Sequence, residues 1–168
     1  MSIKKRFGLA GLLAVLTCHS AAADLPPIAF LSMGFKEVRL KDVESTPEHK
    51  TRLAAPGGFL GVTADFNGDG KPDEARILQN RERQIAYVVA VISSPTKVDT
   101  YVQSQIALSE VAHTGVRAVK PRSDLTSGEM RTGLAIFDLR TGAGEANFFD
   151  GEEFYIRLPF ETSVKTST

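Results

Sequence analysis

The sequence predicts a mainly β fold: antiparallel sheets of short strands, in a sandwich or a small propeller-like arrangement, with one acidic loop between two strands. Three observations lead there. Apolar residues fall in short runs separated by Gly, Pro and Asp-Gly turn signals. Long helical periodicity is absent after the first 23 residues. Ile85 to Ile92 is rich in β-branched residues and apolar on both faces, the pattern of a central buried strand.

The elements follow in order. Met1 to Ala23 reads as a secretory signal peptide: Lys4, Lys5 and Arg6 form the cationic start, Phe7 to Leu16 the apolar run, and Ala21-Ala22-Ala23 the cleavage site before Asp24. That run is too short to span a bilayer, which takes roughly 20 apolar residues. Cys18 offers lipidation as a second route, but Thr17 is bulkier than the small residue that such processing favours. The expected domain is therefore 24–168, in the periplasm or secreted. Cys18 is the only cysteine, so this domain lacks thiols and must rely on its core or on a metal rather than on disulfides.

Pro26-Pro27 disfavours regular structure. Phe35 to Val43 alternates and reads as a strand, and Glu44 to Gly58 is a polar connection ending in the Pro56-Gly57-Gly58 turn. Phe59 to Ala64 and the stretch around Ala75 and Ile77 are the strands on either side of the acidic loop. Arg81-Glu82-Arg83 is a turn, and Pro95 ends the central strand. Thr100 to Val111 fits neither period cleanly and reads as a strand or a short helix. Gly115 to Val119 and Leu134 to Leu139 are strands separated by a polar loop over 123–132. Ala146 to Phe149, Asp150-Gly151 and Phe154 to Leu158 form a hairpin, and Val164 to Thr168 a frayed tail. The aromatics Phe148, Phe149, Phe154, Tyr155 and Phe160 are expected mainly in the core, as most large apolar side chains are.

With 168 residues the chain holds one domain rather than several. Lys+Arg 20 against Asp+Glu 20 leaves no electrostatic case for nucleic-acid binding. Three of the bases lie in the leader and no acid does, so the remainder is acidic by three charges. No second apolar run approaches membrane-spanning length.

The segment 65–73 reads D-x-N-x-D-G-x-x-D, with oxygen-bearing side chains at every second position to begin with. Calcium takes about 6–8 oxygen ligands, and such a spacing on a tightly wound loop can bring them to one ion. Asp65, Asn67 and Asp69 would supply side-chain oxygens, Lys71 its carbonyl, and Asp73 a further carboxylate, direct or through water. Gly68 and Gly70 permit the sharp turns. The closing Glu of a helix–loop–helix calcium hand is replaced by Arg76, and the flanks read as strands, so that architecture is not expected. With fewer charges the affinity should be modest, roughly 10⁻⁴–10⁻³ M as in extracellular modules.

The run Ala64-Asp65-Phe66-Asn67-Gly68-Asp69-Gly70-Lys71-Pro72-Asp73-Glu74-Ala75 resembles the calcium loop of FG-GAP and VCBS repeats, the blades of integrin-type β-propellers. The resemblance implies calcium held by Asp65, Asn67, Asp69 and Asp73. A single loop, without the Phe-Gly and Gly-Ala-Pro opening of a blade, implies a single-loop exported relative rather than a full propeller. Asn147 to Phe154 more distantly resembles the closing aromatic strand and hairpin of such proteins.

No catalytic constellation stands out. The domain has two histidines, His49 and His113, both in polar stretches and expected at the surface. Neither a G-x-S-x-G elbow nor an H-E-x-x-H motif occurs, and Glu152-Glu153 reads as hairpin surface charge. The sequence therefore points to a non-enzymatic, exported calcium-binding β domain, with calcium structural and a protein as its partner. A second reading is a periplasmic inhibitor or immunity-type protein directed at a cell-wall hydrolase.

Overall fold

A computed structural model describes residues 28–123 and 130–162 as two antiparallel sheets. A short helix α1 (Ile28–Ser32) precedes β1 (Lys36–Glu37), and α2 (His49–Leu53) precedes β2 (Gly61–Ala64). Then come β3 (Asp73–Asn80), β4 (Ile85–Ser93), β5 (Val98–Ala107), β6 (Thr114–Ser123), β7 (Met130–Asp138), β8 (Ala143–Phe149) and β9 (Phe154–Glu161). The first sheet runs β1-β3-β4-β5, with β2 beside β3 on the same edge as β1. The second runs β6-β7-β8-β9, a plain meander. Among the described residues neither sheet closes on itself, and no helix is long and apolar enough to cross a membrane.

Strand alternation assigns each residue a face. Ala75 and Ile77 of β3, with Ala86, Val88, Ala90 and Ile92 of β4, point to a core shared with the second sheet, which contributes Val116, Leu134, Phe149 and Phe154. The opposite face of the first sheet buries Leu78 and Val89 beneath Phe30 and Phe35. The opposite face of the second sheet gathers Ala135, Phe137, Leu139, Ala146 and Phe148. A β4 apolar on both faces is thus central, as its sequence requires. The aromatics Phe148, Phe149 and Phe154 are buried, and Phe160 packs on Phe137.

The second sheet leaves no room at one position. A Cβ at Gly144 would overlap the carbonyl oxygen of Ile136 and the Cα of Phe137 on the neighbouring strand. Gly144→Ala is expected to destabilise the fold by about 2–4 kcal/mol, read as a lower denaturant midpoint. An unchanged midpoint would contradict this β7–β8 spacing.

Several sequence expectations need correction. Phe35 to Val43 is not one strand. Only Lys36–Glu37 pairs with β3, and Leu40–Asp42 is a 3-10 turn, because the Asp42 carboxylate takes the Arg39 amide at 2.9 Å and turns the chain. The polar connection 44–58 contains α2 and the fully buried Arg52. Of the two alternatives for Thr100 to Val111 the strand holds: the segment is mostly β5, followed by a 3-10 turn at Leu108–Glu110. β6 runs beyond Val119 through Pro121; it is an edge strand and its register slips between Val119 and Arg122, where a residue without an amide is tolerated. Met130 to Thr132 belong to β7 rather than to a loop. His49 and His113 are half-buried: His113 Nδ1 lies 2.8 Å from the buried Glu48 Oε1. The leader 1–23, the loop residues 124–129 and the tail from 164 lie outside the described residues.

Candidate metal centre

The acidic loop is the connection between β2 and β3, whose last pair is Ala64↔Asp73. Its second residue, Phe66, is fully buried in the shared core and meets Phe154 edge-on at 6.0 Å. Burying such a side chain contributes about 1.5–3 kcal/mol, so the loop is anchored although most of its residues are exposed.

The winding follows from the alternation of oxygen-bearing side chains. Asp65 Oδ1 accepts the amides of Gly68 at 2.6 Å and Asp69 at 3.2 Å, and Oδ2 accepts that of Gly70 at 2.9 Å. Asn67 Oδ1 accepts the Asp69 amide at 3.0 Å, and Asp69 Oδ1 the Lys71 amide at 2.8 Å. Each side chain thus folds back over the residues that follow it. Gly68 at φ +77 and Gly70 at φ +80 take the left-handed turns expected of them.

The predicted ligands divide into two groups. Asp65, Asn67 and Asp69 share the curl of the loop, with Lys71 at its exposed end. Asp73 is 1% exposed and is occupied in bracing the strands. Its Oδ2 accepts the amides of Phe66 at 2.8 Å and Asn67 at 3.3 Å, and its Oδ1 that of Ser93, at the end of β4, at 2.8 Å. The Asn67 side-chain amide donates to the Ser93 carbonyl at 2.9 Å. Burial raises the Asp73 carboxyl above the usual carboxylate range; the three amide donors oppose this, and Asp65 adds to it. Among the described residues no three His, Cys, Asp or Glu side chains converge as a ready cage. A cation here would be held by a mixed set, two carboxylates with an amide and a main-chain oxygen. That is the hard-oxygen chemistry calcium takes.

Sequence reasoning missed three participants. Ser93 ties the loop to β4, and Phe66 plugs it into the core. Arg131 on β7 lays its guanidinium over Gly68: a Cβ added there would lie 3.4 Å from Nη1. Ser93 and Arg131 carry no local signature, since strand pairing and sheet stacking bring them to the loop, whereas Phe66 lies in the loop and its apolar side chain among acidic neighbours was the available signal. No family model matches the chain, and neither a curated protein nor a solved structure matches it.

Proposed function

We propose that this chain is an exported calcium-binding β domain, working in the periplasm or after secretion, in which the cation is structural and the domain serves as a binding module for a protein partner. The observation that carries the reading is the curl of Asp65, Asn67 and Asp69 around the amides of residues 68–71. Each carboxylate oxygen has about two acceptor positions. Asp65 Oδ1 is filled by two amides, but Asp65 Oδ2 and Asn67 Oδ1 carry one amide each and so leave room for a cation, and Asp69 Oδ2 has no hydrogen-bond donor among the described residues. Two carboxylates held close on one loop repel each other, and a divalent ion removes that repulsion. The likeness of 64–75 to FG-GAP and VCBS loops supports the same assignment.

The role follows from position. A cation on the curl would stiffen the β2–β3 connection and, through Asp73, the end of β4. Its binding free energy would add to folding free energy. Calcium at about 100 times its dissociation constant contributes roughly 2.7 kcal/mol. For a domain of this size that is about 5–10 °C in melting temperature. The exported, processed protein is expected to melt higher by that amount at calcium about 100 times the dissociation constant, roughly 10–100 mM for an affinity of 10⁻⁴–10⁻³ M, than in excess chelator. Identical melting curves would overturn the proposal.

A further inference from the structure

We propose that the cleft between the Leu40–Asp42 turn and the β3–β4 turn is a binding site for a small molecule bearing an oxyanion, a phosphate or a carboxylate. The proposal is independent of the acidic loop. The cleft has a volume of about 640 Å³, within the size range of small-ligand pockets. Lys36, Arg39, Lys41 and Arg81 line it.

Charge bookkeeping inside the cleft favours an anion. Of its acids, Asp42 is committed to Arg81 at 3.0 Å and to the Arg39 amide at 2.9 Å, and Glu37 to Arg76 at 3.4 Å. Glu82 is the remaining acid of the lining and is exposed. Lys36, Arg39 and Lys41 have no carboxylate within 4.0 Å among the described residues, so three uncompensated cations face one uncompensated acid. This surplus stands out on a chain with equal numbers of acids and bases.

The floor of the cleft supplies the second observation. Gln79 is 7% exposed and lines both this cleft and a smaller neighbour of about 280 Å³. Its side-chain amide makes no hydrogen bond to any described residue, unlike Asn80 beside it, which donates to the Met33 carbonyl. Although the residue as a whole is buried, its amide atoms are not sealed from solvent; they open onto the water of the cleft, where a ligand can take them up. Lys36 pairs directly with Gln79 across β1 and β3, so the two side chains share one face. An oxyanion seated there would take a donor from the Gln79 amide and the charge of Lys36, with Arg39 and Lys41 at the rim.

The test is a titration of inorganic phosphate and, separately, of succinate onto the isotope-labelled exported protein at constant ionic strength in calcium-free buffer. Saturable amide shifts confined to residues 36–42 and 79–82 are expected, and the ion that saturates first identifies the headgroup. Lys36→Glu with Lys41→Glu, both exposed, should weaken the apparent affinity by at least about fivefold. Gln79→Met should weaken it while leaving the remaining spectrum in place. Linear shifts spread over surface basic residues with both ions, or saturation that the double charge reversal leaves unchanged, would overturn the site.

Discussion

Arg52→Met is expected to destabilise the domain by about 3–5 kcal/mol, a large part of the 5–15 kcal/mol that holds a typical domain together. Arg52 is fully buried, and its guanidinium serves main-chain carbonyls from two distant segments. Nη1 donates to Gly58 at 2.8 Å, and Nη2 to Val111, Ala112 and Thr114 at 2.9, 3.0 and 2.9 Å. These bonds fasten the α2 region to the start of β6. Methionine keeps the stem and leaves the carbonyls buried without donors. It also strips the buried Glu48 of a cationic neighbour, leaving an Oε2 that already lacks a hydrogen bond. Burial lowers the guanidinium pKa to about 10, partly offset by Glu48, so the charge persists at neutral pH. Arg52→Lys should recover only part of the loss, since an ammonium cannot reproduce the planar fork. Equilibrium denaturation measures this directly. A loss below about 1 kcal/mol for Arg52→Met would mean that the carbonyl cradle is not a source of stability.

Asp73→Asn is expected to cost about 2–3 kcal/mol even in excess chelator. Three amides converge on the two oxygens of this carboxylate. Asparagine replaces one oxygen with an NH₂ group, which meets a donor whichever way the side chain flips. The amides of Phe66, Asn67 and Ser93 should then lose hydrogen-exchange protection together. Asp69→Ala, under the same conditions, should change stability by no more than about 0.5 kcal/mol, because Asp69 is exposed. The contrast separates a buried carboxylate that braces strands from an exposed one that only curls the loop. Equal losses from the two substitutions would dissolve the distinction.

How much of this was legible in the sequence depended on the range of the forces involved. The β4 strand was readable because a residue run apolar on both faces has few other places to go. The β8–β9 hairpin was readable from Asp150-Gly151, although Asp150 shapes it through its carboxylate, which takes the amides of Glu152 and Glu153 at 2.8 Å each. β5 was not readable. Val88 pairs with Ser104 and Val89 with Val102, so Gln103 is an extra residue that inverts the alternation. Tyr101 and Ile106, an odd number of positions apart, can therefore both pack against the shared core. Arg52 was hidden because the carbonyls it serves lie 59–62 residues away on one side. In the acidic loop the spacing revealed Asp65, Asn67 and Asp69, whose bonds are local. The bracing bonds of Asp73 were not legible, because its partner across the sheet, Ser93, is 20 residues distant.

The cation site proposed at the β2–β3 loop is tested most directly by calorimetric titration of calcium into the exported protein, with Asp65→Ala and Asp69→Ala alongside. One site is expected, with a dissociation constant of roughly 10⁻⁴–10⁻³ M, weaker for magnesium and abolished by either substitution. Absence of heat with the unsubstituted protein, or a site that survives both substitutions, would contradict it.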